Sequence, residues 1–186
     1  HDEGHRDVVV VPLLLGSAYH ARVDVPTVVG DAMRRLPRLA VAVADVLGAD
    51  PRLESVALRR LAEAGVPPGD PEVGVVLAGA GSSHAPANDA VAAIARRWTV
   101  HYGWSGVRAA FASAEPDTAA AITRLRADGA RRVAVASWFI APGLLPDRVY
   151  AAARATAPDA RIAKPLGATP ELAELILHRY DNALNH

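Results

Sequence analysis

A chain of 186 residues, of which 51% are hydrophobic, can bury the core of one large domain or two small ones. Its 20 Lys and Arg residues balance 20 Asp and Glu residues, and no basic cluster is present, so a nucleic-acid partner is not expected. The absence of cysteine excludes disulfides, thiolate metal sites and cysteine nucleophiles. Neither a signal peptide nor a membrane-spanning run is found, which predicts a soluble cytoplasmic protein without a membrane partner.

The first predicted strand covers residues 8–15. It reads VVVVPLLL without polar alternation, which is typical of a strand covered on both faces in a parallel sheet. Gly16 and Ser17 end this strand. Ligands of open α/β sheets bind beyond the carboxyl ends of the strands, so we expect the following loop to face a ligand. The functional side chains of that loop are Tyr19, His20, Arg22 and Asp24.

His20 is the candidate for chemistry in this loop. A loop histidine is by itself more often a surface residue, but a position beyond a buried strand favours a function. A neutral imidazole near pH 7 can serve as metal ligand or as proton acceptor. Asp24 could orient the ring, although we favour it as the N-cap of a helix with Pro26 in its first turn. Arg22 could pair with a ligand carboxylate, and we add Ser17 and Tyr19 as candidate substrate contacts.

Strand-like and helix-like segments alternate along the chain, which implies right-handed crossovers and parallel sheets. The predicted strands are 8–15, 39–46, 73–79, 107–113, 131–140 and 160–164. The predicted helices are 26–35, 51–64, 86–97, 117–128, 146–156 and 170–183. Three prolines and a glycine interrupt the pattern between Val66 and Pro71 and predict a linker. We therefore expect the C-terminal half of a first lobe at 1–66, a linker at 67–71 and a complete second lobe at 72–186.

Two segments of the chain are copies of each other. LGADPRL at 47–53 matches LGATPEL at 166–172, and each predicts a helix with a polar N-cap followed by proline. The apolar stripes of the two helices also coincide. Aligning the strand and loop units places His20 opposite Leu145, so the second copy lacks the histidine. Such a duplication predicts a monomer that is an internal pseudo-dimer.

The first predicted lobe has two strand–helix units and the second has four. We therefore expect about two further units before residue 1, in the N-terminal part of the first lobe. The first residue is His1, and the single methionine, Met33, lies inside a predicted helix, which agrees with that expectation.

A second candidate site lies between a predicted strand and a predicted helix, at residues 79–84. The backbone amides of this GAGSSH loop and the helix N-terminus favour an anion. It is not a dinucleotide fingerprint, because His84 replaces the third glycine. A tight turn capped by serine or histidine is an equally good interpretation. We name Gly81, Ser82, Ser83 and His84 as candidate substrate contacts.

Four segments, in order across nearly the whole chain, resemble the sirohydrochlorin chelatases of the CbiX and SirB type: LLLGSAYHARVDVP, GAGSSHAPAN, VAVASWFIAPGLLPDR and PLGATPELAELILHRY. The resemblance implies an α/β fold of two ferrochelatase-like lobes, each a parallel sheet flanked by helices, related by internal duplication. It matches His20 to a metal-handling histidine in a Gly-Tyr-His type loop. The family's second histidine follows a first strand that this sequence does not contain, and Ala80 stands at the equivalent place in the second lobe.

The resemblance also implies a lyase that inserts a divalent metal into a tetrapyrrole, in cobalamin or sirohaem biosynthesis. The metal would be a substrate, Co²⁺ or Fe²⁺ with Ni²⁺ as a third choice, because imidazole accepts all three, and no organic cofactor is expected. His20 would serve as catalytic residue and metal ligand. The alternative is a non-catalytic relative that binds tetrapyrrole or metal without turnover. A flavodoxin-like module for another anion fits the fold but not the repeat.

Overall fold

A computed structural model describes residues 6–16 and 23–185, and within them six strands alternate with six helices. The strands are β1 (Asp7–Val10), β2 (Ala40–Val43), β3 (Val73–Gly79), β4 (Gly106–Phe111), β5 (Arg132–Ser137) and β6 (Arg161–Ile162). The helices are α1 (Val25–Arg35), α2 (Pro51–Glu63), α3 (Ala85–His101), α4 (Thr118–Ala127), α5 (Leu144–Thr156) and α6 (Pro170–Leu184). Each predicted strand and helix is confirmed, with differences at the ends. No helix in these ranges is both long and apolar enough to cross a bilayer.

The strands form two parallel sheets. In one, β1 pairs with β2 and Asp7 lies opposite Ala40. The other has the strand order β4–β3–β5–β6, with every neighbouring pair parallel. Helices pack against both sheets. This arrangement confirms the predicted α/β class, and two sheets fit two lobes.

The core of the larger sheet has two layers, one on each face of β3. Val75 and Leu77 belong to a buried cluster shared with helices α2, α3 and α6. Val76 and Ala78 belong to a second cluster shared with α4 and α5. Because both faces are covered, the continuous apolar sequence of β3 is buried at all seven positions.

Strand β1 departs from the sequence-based prediction in length and in burial. It ends at Val10 rather than at residue 15, because the amide of Leu14 turns back to donate to the carbonyl oxygen of Pro12 at 2.8 Å. It is not covered on both faces: Asp7 and Val8 are exposed. Within the described residues its sheet has only two strands, which leaves both strands as edges.

Asp24 does not cap helix α1 as predicted. It directly precedes the helix, and a proline lies in the first turn as expected, but its backbone is itself helical and its side chain makes no capping hydrogen bond. A capping residue usually has an extended backbone, which lets its side chain reach the free amides of the first turn. Asp50, Asp117 and Thr169 have that conformation and cap α2, α4 and α6.

The two sequence copies adopt the same local structure. Gly48 and Gly167 both have positive φ, at 70° and 74°, a region that favours glycine. Two residues later the side chains of Asp50 and Thr169 cap their helices, and proline follows in each case. The internal repeat is therefore present in the backbone conformation as well as in the amino-acid sequence.

We call the part of the chain from β1 to α2 the first unit and the part from β3 to α6 the second unit, and each repeat helix packs on the sheet of the other unit. Helix α2 contacts β5, helix α6 contacts β1 and β2, and the two helices contact each other. The exchange explains one difference between the apolar stripes: Leu61 of α2 is fully buried, whereas its counterpart Tyr180 on α6 is 40% exposed, because α6 faces the smaller sheet. The exchanged helices bring the two units together, so that the segments after β1 and β5 meet.

Candidate functional site

A cavity of about 310 Å³ lies where the two units meet, beyond the carboxyl ends of β1, β3 and β5. One wall is Leu13–Leu15, which follows β1, and the other is Trp138–Ile140, which follows β5. The glycine loop after β3 and the first turns of α3 complete the lining. No charged side chain is among the described residues that line this cavity. Its position agrees with the rule for ligand sites in parallel α/β sheets.

The two walls are equivalent in the internal repeat. The alignment that places His20 opposite Leu145 also places Leu13 on Trp138. The glycines of the repeated motif support both walls in a similar way, since Gly48 donates its amide to Leu14 at 3.3 Å and Gly167 donates to Ile140 at 2.8 Å. The cavity therefore has two apolar walls, one from each copy, which suits a flat apolar molecule between them.

The walls differ in exposure. Leu13 is 50% exposed, whereas Trp138 is 2% exposed. The first wall follows a strand of the two-stranded sheet and is open to solvent, whereas the second wall packs against the core of the larger sheet. The cavity thus opens on the side of Leu13.

The glycine loop after β3 is shaped by close packing. Gly81 has φ +81°, and a Cβ at this position would lie 2.8 Å from the Cβ of Phe111 and 3.1 Å from that of Ala114. Ser113 fixes the position of the loop, because both its amide and its hydroxyl donate to the carbonyl oxygen of Ala80, at 3.0 and 2.7 Å. Gly81 is therefore required for the backbone path by which the loop reaches the cavity.

Ser82 organises the start of α3. Its Oγ accepts from the amide of His84 at 3.0 Å, and its carbonyl oxygen accepts from Nδ2 of Asn88 at 2.8 Å. These bonds agree with the tight-turn interpretation of the loop. Of the four predicted contacts in this loop, Gly81 and Ser82 line the cavity, whereas Ser83 and His84 are not among its lining residues.

The predicted residues Ser17, Tyr19, His20 and Arg22 lie outside the described residues, so their roles stay predictions. These residues follow Gly16 directly in the sequence, and Gly16 is part of the cavity wall. A Cβ on Gly16 would lie 3.7 Å from the Cβ of Ala87. Among the residues that the structure does describe, no group of three or more His, Cys, Asp or Glu side chains could hold a metal ion.

The apolar walls and Asn88 were not predicted from the sequence as parts of the site. The available signal was the repeat alignment, which sets LLL on WFI at the ends of two equivalent strands. Behind the second wall, the hydroxyl groups of Ser137 and Tyr150 share a hydrogen bond of 2.7 Å. Burial raises the pKa of Tyr150, so this pair is neutral near pH 7 and contributes no charge to the cavity.

Comparison with known proteins places the fold. The CbiX family model matches residues 1–64 and 74–183. Sirohydrochlorin ferrochelatase from Priestia megaterium is 24% identical over an alignment of 188 residues, gaps included, which covers 99% of this chain and 70% of that protein. The structure of SirB from Bacillus subtilis with Fe³⁺ aligns with a TM-score of 0.79 at 23% identity, over 99% of this chain and 74% of that one. SirB from Bacillus subtilis subspecies spizizenii in complex with cobalt aligns with a TM-score of 0.74 at 19% identity, over 99% and 72%. The chain belongs to the CbiX family.

Proposed function

We propose that this chain is a sirohydrochlorin chelatase, a lyase that inserts Co²⁺ or Fe²⁺ into a sirohydrochlorin-type tetrapyrrole. The observation that carries the proposal is the cavity whose two apolar walls, Leu13–Leu15 and Trp138–Ile140, come from equivalent positions of the repeat in a CbiX-family chain. A flat ring can lie against both walls at once. The relatives agree with this assignment, since one is named a sirohydrochlorin ferrochelatase and two SirB structures contain Fe³⁺ or cobalt.

The cavity accommodates one edge of the macrocycle, because a tetrapyrrole with its acidic side chains is larger than about 310 Å³. The rest of the ring extends through the open side, where Leu13 is half exposed and where the chain continues from Gly16 into the loop of His20. Ser17, Tyr19 and Arg22 of that loop are the proposed contacts there. At the closed end, the backbone of Gly81 and Ser82 contacts the side chains of the ring, and Ser83 and His84 lie beside these two residues.

His20 is the proposed metal ligand and proton acceptor. Insertion passes the metal ion to four ring nitrogens while two N–H protons leave, so the site needs a base and a weak ligand. A neutral imidazole supplies either one, and a single histidine holds a metal loosely enough to release it. The described lining of the cavity contains no other titratable side chain, which leaves this chemistry to the loop of residues 17–22.

The proposal includes the arrangement of the chain. We assign residues 1–66 and 72–186 to the two lobes and 67–71 to their linker. The exchange of helices α2 and α6 between the sheets supports a monomer that acts as an internal pseudo-dimer. Cobalamin and sirohaem biosynthesis are the two pathways in which such an insertion is expected, and Ni²⁺ is a third metal to test.

The test is the anaerobic absorbance change of sirohydrochlorin after addition of Co²⁺, Fe²⁺ or Ni²⁺, with the wild-type chain and with His20→Ala. We expect acceleration over the uncatalysed rate, and a loss of about 100-fold in the variant, the lower end of what one acid–base group contributes. His178→Ala is the matched control, because His178 is exposed on α6 and does not line the cavity. No acceleration with any of the metals would contradict the proposal.

A second candidate is a relative that binds tetrapyrrole or metal without turnover. The sequence observation in its favour is that the second copy carries Leu145 opposite His20 and Ala80 at the place equivalent to the family's other histidine, so the second copy supplies neither histidine. Spectroscopic binding of sirohydrochlorin together with an unchanged insertion rate would support this candidate over the first.

A further inference from the structure

We infer that the indole N–H of Trp138 donates a hydrogen bond to a side-chain carboxylate of the bound tetrapyrrole. The inference deepens the proposed function and rests on it. Trp138 lines the cavity and is 2% exposed. Its Nε1 is buried and has no hydrogen-bond partner within the described part of the chain. The indole N–H is thus a donor without an acceptor in a residue that lines the cavity.

The other two tryptophans show what a buried indole N–H normally does. Nε1 of Trp98 donates to Oε2 of Glu54 at 3.0 Å, and Nε1 of Trp104 donates to the carbonyl oxygen of Pro67 at 3.3 Å. Leaving such a donor without an acceptor is unfavourable, and buried indoles usually find a partner. Trp138 differs from them by lining a cavity, so an acceptor brought by a ligand explains its state.

The nitrogen-bearing edge of the Trp138 ring lies beside the glycine loop. A Cβ on Gly79 would lie 3.9 Å from Cδ1 of Trp138, the carbon bonded to Nε1. In the same loop the amides of Gly81, Ser82 and Ser83 donate no hydrogen bond within the described residues, and helix α3 begins just after them. Among the described residues, the free N–H groups at this end of the cavity are thus those of Gly81 and Ser82, with that of Ser83 next to them.

A carboxylate is the acceptor that fits this end. Indole is a donor only, as are backbone amides, so the partner must be an acceptor. The ring nitrogens of a tetrapyrrole point into the centre of the macrocycle, whereas its peripheral carboxylates can accept several N–H groups together. The positive end of α3 favours a negative charge there. The macrocycle then lies on the apolar walls while one acidic side chain reaches the loop.

The first test is the affinity for metal-free sirohydrochlorin of the wild-type chain, Trp138→Phe and Trp104→Phe. The Trp138 variant keeps an aromatic ring and loses the N–H. We expect its affinity to fall about tenfold, the size expected for one hydrogen bond to a charged acceptor. Trp104→Phe is the matched control, because it removes an indole that donates to Pro67 and does not line the cavity. Its affinity should stay within twofold of wild type.

The second test needs no change in the binding site. The three tryptophans of the ¹⁵N-labelled chain give three indole N–H signals, and Trp138→Phe identifies one of them. On addition of sirohydrochlorin we expect the Trp138 signal to move downfield and to exchange more slowly with D₂O, while the signals of Trp98 and Trp104 stay in place. Where that variant is poorly folded, Trp98→Phe and Trp104→Phe identify the other two signals and leave the third to Trp138, so the measurement still decides the question.

The outcomes separate the two proposals. Sirohydrochlorin that binds with equal affinity to wild type and Trp138→Phe, with the Trp138 indole signal unmoved, would overturn the hydrogen bond and leave the proposed function intact. A wild-type chain that does not bind sirohydrochlorin at all would overturn both.

Discussion

Arg59 of α2 and Glu171 of α6 form a two-point ion pair across the junction of the two units, with Nη1 to Oε1 at 2.5 Å and Nη2 to Oε2 at 3.2 Å. The hydrogen bonds from Arg59, assisted by the amide of Glu171 itself, lower the pKa of Glu171 to about 2. The pair therefore joins the helices that are exchanged between the two sheets, and it holds as long as the carboxylate stays charged.

The first prediction concerns acid stability. Because the folded-state pKa of Glu171 lies below its usual value of 4.5, the pair stabilises the fold above pH 4.5, and this contribution is lost as the pH falls toward 2. We expect Glu171→Gln to lower the thermal midpoint of unfolding at neutral pH. The difference in thermal midpoint between this variant and wild type should disappear as the pH falls from 4.5 to 2. Asp181→Asn, an exposed change on the same helix, is the control. A difference that persists unchanged at pH 2 would contradict the role of the ion pair.

The second prediction concerns the contact between α2 and α3. The carboxylate of Glu54 accepts from Nε1 of Trp98 at 3.0 Å and from Nη2 of Arg97 at 2.5 Å, and its side chain is 14% exposed. Glu54→Ala removes both acceptors and leaves the buried indole without one. We expect the free energy of unfolding to fall by about 2 kcal/mol, measured by urea denaturation.

Glu63→Ala is the matched control for Glu54. Glu63 is also on α2 and also pairs with an arginine, Arg60, but its side chain is 45% exposed. Its removal should change the free energy of unfolding by at most about 0.5 kcal/mol, as for other exposed pairs. Equal losses in the two variants would show that burial of the Glu54 contact is unimportant.

The third prediction concerns the shape of the glycine loop. Gly81→Ala places a Cβ 2.8 Å from Phe111 at a φ of +81°, so the loop must shift. Gly65→Ala has nearly the same φ, +82°, but nothing within 4 Å of its Cβ. We expect each variant to lose about 1 kcal/mol for the left-handed backbone, and Gly81→Ala alone to lose more and to bind sirohydrochlorin less tightly. Similar binding by both variants would show that the loop does not shape the site.

Local features of this fold could be predicted from the sequence. The caps at Asp50 and Thr169, with proline after each, depend on a few neighbouring residues, and the structure confirms them. The same reasoning was wrong for Asp24, where the backbone is already helical and the side chain makes no capping hydrogen bond. Capping depends on the φ and ψ of one residue, and the residue type only biases them.

Features that depend on distant partners could not be predicted in this way. The apolar stripe of α2 indicates a buried face but not that β5, in the other unit, covers it. The burial expected for β1 was wrong because burial depends on how many strands lie beside a strand. Trp138 is an ordinary apolar residue in the sequence, and only the absence of a partner for its N–H in the described structure distinguishes it.

The last prediction separates binding from folding at the open wall of the cavity. Leu13 lines the cavity but is 50% exposed in the free protein, so its side chain contributes little to folding and can still be covered by a ligand. Leu13→Ala should therefore leave the free energy of unfolding within about 0.5 kcal/mol of wild type. It should weaken sirohydrochlorin binding by about tenfold, because roughly 1–2 kcal/mol of apolar burial against the ring is lost.

Val28→Ala is the control for Leu13→Ala, since Val28 is 67% exposed on α1 and does not line the cavity. It should change neither binding nor stability. If Leu13→Ala binds sirohydrochlorin as tightly as Val28→Ala does, the ring does not lie on the first wall, and contact with both walls of the repeat is wrong. If instead Leu13→Ala unfolds more easily than Val28→Ala, the residue belongs to the core, and a loss of binding alone would not assign it to the site.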